Sequence, residues 1–219
     1  MKNIIPLLFL ISVLANPAEA RVPLSISARG GFAFPISDLS TLFKNGYSVQ
    51  GMISYNASEM IELYLSGGRA IWQGDNAAFN RLLNGAGGPS SFTLNVRFRM
   101  IPVQVGAKFY YGLMVAQPYI GFSYGLYFLQ LDVSGTVTDA AGTTVLPTES
   151  QSFSKTALGI EAGFLIPVAD HFAVDVNGTY GAIEDTDARF LGKNSAVSTP
   201  LNARRIRFVT LTAGVKFSF

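Results

Sequence analysis

Apolar and polar residues alternate one by one along most of this chain. Leu24, Ile26, Ala28, Gly30, Phe32 and Phe34 share one parity, and Ser25, Ser27, Arg29, Gly31 and Ala33 the other. The last stretch repeats the pattern, with Val209, Leu211, Ala213, Val215, Phe217 and Phe219 set against Thr210, Thr212, Gly214, Lys216 and Ser218. A period of two sends successive side chains to opposite faces of a strand. Eight segments of this kind predict strands at about residues 24–34, 46–56, 59–70, 92–111, 118–134, 152–167, 171–184 and 204–219. The apolar phase shifts at Met100-Ile101 and again at Leu129. Each shift predicts a bulge, or a hairpin that extends above the membrane if the strands span one, and Pro102, which has no N–H for a ladder, marks a candidate bulge.

Alternation alone fits a soluble sandwich as well as a closed barrel. The connections separate the two. The second, fourth and sixth are short, near 56–58, 112–117 and 168–170. The first, third, fifth and seventh are longer and polar, near 35–45, 71–91, 135–151 and 185–203. Such sorting of long and short connections is the habit of a membrane barrel with loops on one side and turns on the other. Two loops carry helix signals: Ser37 as a cap for a turn over 38–44, and Asp75 or Asn76 as the start of a turn through Leu83.

The first twenty residues read differently. Lys2 precedes an apolar run from Ile4 to Ala15, and Ala18-Glu19-Ala20 is a small-x-small cleavage site. The run is too short to span hydrocarbon about 30 Å thick as a helix. The expected division is a cleaved signal peptide at 1–20 and one barrel domain at 21–219.

Composition adds to this picture. Charged residues are 14% of the chain, against about 25% in soluble domains. There are 17 Phe and 9 Tyr, and the mean hydropathy is +0.32. Few charges and many aromatics suit a wall that faces lipid. There is no cysteine, which excludes disulfides, thiolate metal sites and cysteine nucleophiles. A net charge of +2 with scattered Lys and Arg gives no basis for nucleic-acid binding.

The apolar face is continuous from strand to strand: Ile61, Leu63 and Leu65; Ile120, Phe122, Tyr124, Leu126 and Phe128; Leu158, Ile160, Phe164 and Ile166; Phe172, Val174, Val176 and Tyr180. Aromatics gather near strand ends, as in interfacial girdles. Tyr55, Phe109, Tyr111, Phe172, Phe217 and Phe219 are expected at the turn side, and Phe32, Phe34, Tyr47, Phe92, Tyr180 and Trp72 at the loop side. The opposite face carries Arg29, Glu62, Lys108, Glu161, Asp175 and Lys216, three basic and three acidic residues. In a narrow lumen these charges must be paired or wet. Strand order suggests a Glu62–Lys108 pair, with Arg29 and Lys216 serving Glu161 and Asp175.

With Ser-Ala-Arg-Gly-Gly-Phe-Ala-Phe-Pro at 27–35, Ile-Pro-Val-Gln-Val-Gly-Ala-Lys-Phe-Tyr-Tyr at 101–111, Gln-Pro-Tyr-Ile-Gly-Phe-Ser-Tyr-Gly at 117–125 and Gly-Val-Lys-Phe-Ser-Phe at 214–219, the chain resembles the small outer-membrane β-barrel family that includes the OmpA transmembrane domain, OmpX and the opacity-type proteins. The resemblance implies an all-β, antiparallel, eight-stranded up-and-down transmembrane barrel in the bacterial outer membrane. It also implies that Phe217 and Phe219 form the recognition signal for the barrel-assembly machinery. Outer-membrane lipid and lipopolysaccharide are the implied partners. Family members range from structural barrels and adhesins to narrow pores and a few enzymes, so membership assigns a place more than a task.

Candidate chemistry is sparse. His171 is the single histidine, beside Asp170 at a predicted turn. The lipid A deacylase type of barrel has a His and a Ser two apart on one strand, and here Ala173 takes that position. Barrels of the palmitoyltransferase type place their His and Ser at the outer surface, opposite the end expected for His171. Asp185 and Asp187 could touch Ca²⁺, although an ordinary solvated loop is the plainer reading. Arg204, Arg205 and Arg207 cluster at the outer end of the last strand, as a lipopolysaccharide phosphate contact or as generic loop charge. No cofactor is expected. The leading functional expectation is a non-enzymatic barrel with a structural or surface-interaction role, its four outer loops meeting lipopolysaccharide, host surface or other envelope components. A narrow passive pore and a lipid A-modifying enzyme are the alternatives.

Overall fold

The computed structural model describes residues 23–84, 91–112, 115–139, 142–184 and 205–219. The proposed signal peptide, the whole seventh connection with Asp185 and Asp187, and Arg204 lie outside the described residues. The eight strands are β1 (Leu24–Ile36), β2 (Gly46–Asn56), β3 (Ile61–Gln73), β4 (Ser91–Tyr110), β5 (Gln117–Asp139), β6 (Gly142–Ala169), β7 (Phe172–Glu184) and β8 (Arg205–Ser218). Each pairs antiparallel with its sequence neighbours, and β8 returns to β1, from Ser25 opposite Ser218 to Ile36 opposite Arg207. The sheet is therefore a closed barrel without a free edge along its wall.

The fifth connection departs from expectation. Residues 135–151 were predicted to be a long loop. Instead β5 and β6 continue as a paired ribbon until Asp139 faces Gly142. Gly142, with φ +133°, takes the backbone conformation that this tight reversal needs. β7 stops pairing with β6 at Leu158 opposite Ala182, whereas β4 stays on β5 up to Ser91 opposite Thr138. Three strands thus rise above the rest of the wall.

Of the two alternatives for the phase shifts, the extended hairpin is found, and the bulge at Pro102 is absent. β4 and β5 keep one register from Tyr110 opposite Tyr119 to Ser91 opposite Thr138. The register shifts lie at Val133/Gly135 and Pro167/Ala169. At Met100-Ile101 the parity is unchanged, and the polarity of both faces inverts. Inward positions on β4 run Tyr110, Lys108 and Gln104, then Met100, Phe98, Val96 and Leu94. Outward positions run Phe109, Val105, Val103 and Ile101, then Arg99, Arg97 and Asn95. β5 does the same, with Phe128 the last outward apolar residue before Gln130 and Asp132, while Leu129 and Leu131 point in. Below this level the barrel is oily outside and polar inside; above it the arrangement reverses.

The upper interior is an apolar core. Trp72, expected in the outer girdle, is fully buried there, its ring 5.6 Å from that of Phe98 and 6.0 Å from that of Phe208. Its indole N–H donates to the Ala33 carbonyl at 3.1 Å, so the polar atom carries no desolvation penalty. The first and third loops complete this core from above. A 3-10 turn (Ser37–Thr41) supplies Leu39, and Leu42 and Phe43 follow it; a helix α1 (Asn76–Asn84) supplies Phe79. The turn is shorter than the helix signal suggested, and Ile36 rather than Ser37 occupies its cap position without a side-chain bond. Asp75 Oδ1 accepts the Ala77 N–H at 3.0 Å at the start of α1. The two loops are joined by Lys44 N–H to the Gln73 carbonyl at 2.9 Å and Asp75 N–H to the Leu42 carbonyl at 2.7 Å.

Truncating Trp72 to Ala should lower stability by about 3–5 kcal/mol, as for other large buried aromatics, read from urea unfolding in lipid vesicles. Gly181→Leu should abolish heat-modifiable folding altogether, because a Cβ there would lie 2.2 Å from the Phe208 ring.

Candidate functional site

The lower lumen gathers all six charges named from the sequence. Arg29, Glu62, Lys108, Glu161, Asp175 and Lys216 are each buried. They arrive there by parity alone: each falls on the inward position of β1, β3, β4, β6, β7 or β8. Their pairing follows the expectation for Arg29, and for Glu62 with Lys108 at the limit of contact, and departs from it for Lys216. Lys216 pairs with Glu62, not with Glu161 or Asp175. Lys108 lies 4.0 Å from Glu62 Oε1 and closer, at 3.2 Å, to Asp175 Oδ2. Arg29 takes Glu161 at 3.1 Å and Asp175 at 3.8 Å. The physical reason is the width of the barrel. Register neighbours such as Glu62 and Lys108 share one wall, whereas long side chains meet across the lumen when the interior is narrow.

Polar side chains saturate much of what remains. Tyr110 donates to Glu62 at 2.7 Å and Tyr119 to Asp175 at 2.6 Å. Asn177 donates to Glu161 at 2.9 Å and accepts from Thr212. Arg29 Nε donates to Gln50 at 2.7 Å, and the Gln50 amide donates to Ser66 at 2.9 Å. Gln104 donates to Ser123 at 3.0 Å and to Tyr127 at 2.5 Å. The Lys108 ammonium also sits 4.6 Å from the Tyr119 ring centre. Sequence reasoning named the charges but missed the tyrosines, whose inward parity was the available signal. Between the ionic tier and the apolar core lies a void of about 40 Å³ lined by Arg29, Gln50, Gln104, Tyr127 and Glu161, room for at least one water.

The other candidates lie elsewhere. Phe217 and Phe219 are on the outside of the turn end, where Phe217 packs edge-on against Phe172 and Phe219, each 5.0 Å away. His171 sits in the β6–β7 turn, its Nδ1 2.9 Å from the Ser218 carbonyl. Arg205 begins β8 opposite Glu184, and Arg207 faces outward on β8, half-buried. Asp132 belongs to the ribbon above the apolar belt, outside the membrane-spanning part of β5. Partial burial works against its charge, but hydrogen bonds from Ser150 and Arg99, the Arg99 charge and a hydrogen bond from Gln130 together hold its carboxyl below the usual range.

A barrel of eight antiparallel strands with an apolar belt outside and paired charges inside can sit in hydrocarbon without exposing a backbone polar group. The profile of the outer membrane protein beta-barrel domain matches residues 5–219. The chain belongs to this family. It is accordingly a protein of the bacterial outer membrane, as are the solved structures of similar shape. Neisserial surface protein A is 15% identical with a TM-score of 0.53, covering 92% of this chain and 100% of that one. A major outer membrane protein of Thermus thermophilus is 13% identical with a TM-score of 0.50, covering 90% and 99%. The N-terminal barrel domain of Pseudomonas aeruginosa OprF is 14% identical with a TM-score of 0.46, covering 92% and 100%. Likeness at these identities concerns the fold alone. No curated protein matches the chain.

Two outcomes check this account of the barrel. Lys216→Met or Glu62→Leu alone should cost about 3–5 kcal/mol by stranding a buried charge, and the double variant less than the sum of the two, read from a double-mutant cycle of urea unfolding. The Arg99–Asp132 contact at the root of the ribbon should persist above the ordinary aspartate pKa and be lost as pH falls through the lowered native value, read from the Asp132 carboxyl resonance in a pH titration.

Proposed function

We propose that this protein is a sealed, non-enzymatic outer-membrane barrel that acts through its outer face, by structural support or by contact with lipopolysaccharide, host surface or other envelope components. The observation that carries the reading is the double closure of the lumen. Cross-lumen ion pairs fill the lower half, and the apolar cluster around Trp72, Phe98 and Phe208 fills the upper half. Leu39, Leu42, Phe43 and Phe79 lie over the top of that cluster. Such a barrel devotes its interior to stability and leaves recognition to its loops and to the ribbon of β5 and β6.

The same reading assigns Phe217 and Phe219 to recognition by the barrel-assembly machinery, residues 1–20 to a cleaved export signal, and Arg204, Arg205 and Arg207 to lipopolysaccharide phosphates. Two readings compete with it. A passive pore would need a water path, and the interior void below the apolar core is about 40 Å³. A lipid-modifying enzyme would need an activated nucleophile, and His171 is bonded to a backbone carbonyl at the turn end.

Planar-bilayer recording discriminates. The full-length mature protein should give no steady single-channel steps, and a regular step size that survives repeated purification would overturn the sealed reading.

A further inference from the structure

One patch on the outer wall has a composition unlike the belt around it. At the level where outward residues change from apolar to polar, β3, β4, β5 and β6 together line an open groove of about 360 Å³. Its floor is apolar, with Ile101 opposite Phe128 on adjacent strands. Its upper and flanking wall is polar. Arg99 lies opposite Gln130, Gln130 opposite Ser152, and Phe128 opposite Ser154. Arg69 projects outward next to Ala70, whose partner is Met100. Below the groove the wall continues as Val103 and Leu126, both exposed.

The two arginines are unequally committed. Arg99 gives one nitrogen to Asp132, and its Nε hydrogen has no acceptor. The Arg69 side chain has no ion pair or hydrogen bond among the described residues, and the residue is exposed. Asp132 is the one carboxylate whose contact with these arginines is recorded among the described residues, and it is spent on Arg99, Ser150 and Gln130. An exposed guanidinium at the edge of a hydrocarbon belt, beside an amide and two hydroxyls, is a cationic donor without a counterion among the described residues. The chemistry that completes it has acyl chains for the floor and a doubly charged oxyanion for the wall. Arginine matches phosphate with paired N–H donors.

We infer that this groove binds the phosphorylated headgroup of an outer-leaflet glycolipid, with Arg69 and Arg99 on the phosphate and the acyl chains lying over Ile101, Phe128, Val103 and Leu126. Gln130, Ser152 and Ser154 supply hydrogen bonds to the sugar. The site is separate from the Arg204, Arg205 and Arg207 cluster at the outer end of β8, and it holds whether or not the lumen conducts.

The test is native mass spectrometry of the full-length mature protein in nanodiscs containing bis-phosphorylated lipid A or its dephosphorylated form. The wild type should retain the phosphorylated lipid about tenfold better, the worth of one charge-assisted pair. Arg69→Gln should lose most of that preference, Arg69→Lys should keep part of it, and the drop caused by Arg69→Gln should be the same size in a background with Arg204, Arg205 and Arg207 all changed to Gln. Because Arg69 is exposed, heat-modifiable gel migration should be unchanged in its variants. Equal retention of the two lipids by the wild type overturns the proposal. So does a normally migrating Arg69→Gln protein with full preference, or displacement of the lipid by equimolar inorganic phosphate, which would mean a free-phosphate site.

Discussion

Hydrocarbon offers no partner to a backbone N–H or carbonyl, and every other feature of this protein depends on that constraint. Strands that enter such a medium must pair on both edges, so the sheet closes, with β8 lying along β1. Closure at eight strands leaves a lumen narrow enough for side chains to meet across it. Parity then divides the residues of each strand between oil and lumen, and the lumen must be made self-sufficient.

The protein meets that second demand in two ways at two heights. Within the belt, three cations and three carboxylates neutralise each other, with tyrosine hydroxyls and amides taking up spare donors and acceptors. Buried pairs of this kind add little net stability over an apolar filling, but removing one partner is expensive because it leaves a charge buried without its counterion. Above the belt the outer wall faces water, and the interior can hold what any soluble protein holds, a packed apolar core. Trp72, Phe98, Met100 and Phe208 form it, and the loops fold down to finish it. The inversion at Met100-Ile101 is thus the mark of the membrane surface on the strand.

The same inversion concentrates outward polar groups at one level. Arginines that were outward-facing by parity come to lie at the upper edge of the apolar belt, and β4, β5 and β6 rise together above the rest of the wall.

Alternation of side chains was enough to determine the strand count, the inward parity of Arg29, Glu62, Lys108, Glu161, Asp175 and Lys216, and the neutrality of the lumen, because parity is a local property that survives any arrangement of neighbours. Arg29 meeting Glu161 and Asp175, and Glu62 lying 4.0 Å from Lys108, were legible too, but the partner of Lys216 and the nearer partner of Lys108 were not. Lys216 reaches Glu62 and Lys108 favours Asp175 because the far wall of a small cylinder is as near as the adjacent strand, a distance that exists only after closure. The sequence also showed a change of phase at Met100-Ile101 and at Leu129, but a bulge and an inverted polarity produce the same string of letters. Only the unbroken register of β4 on β5 decided between them, and with it the burial of Trp72 and the height at which the membrane ends.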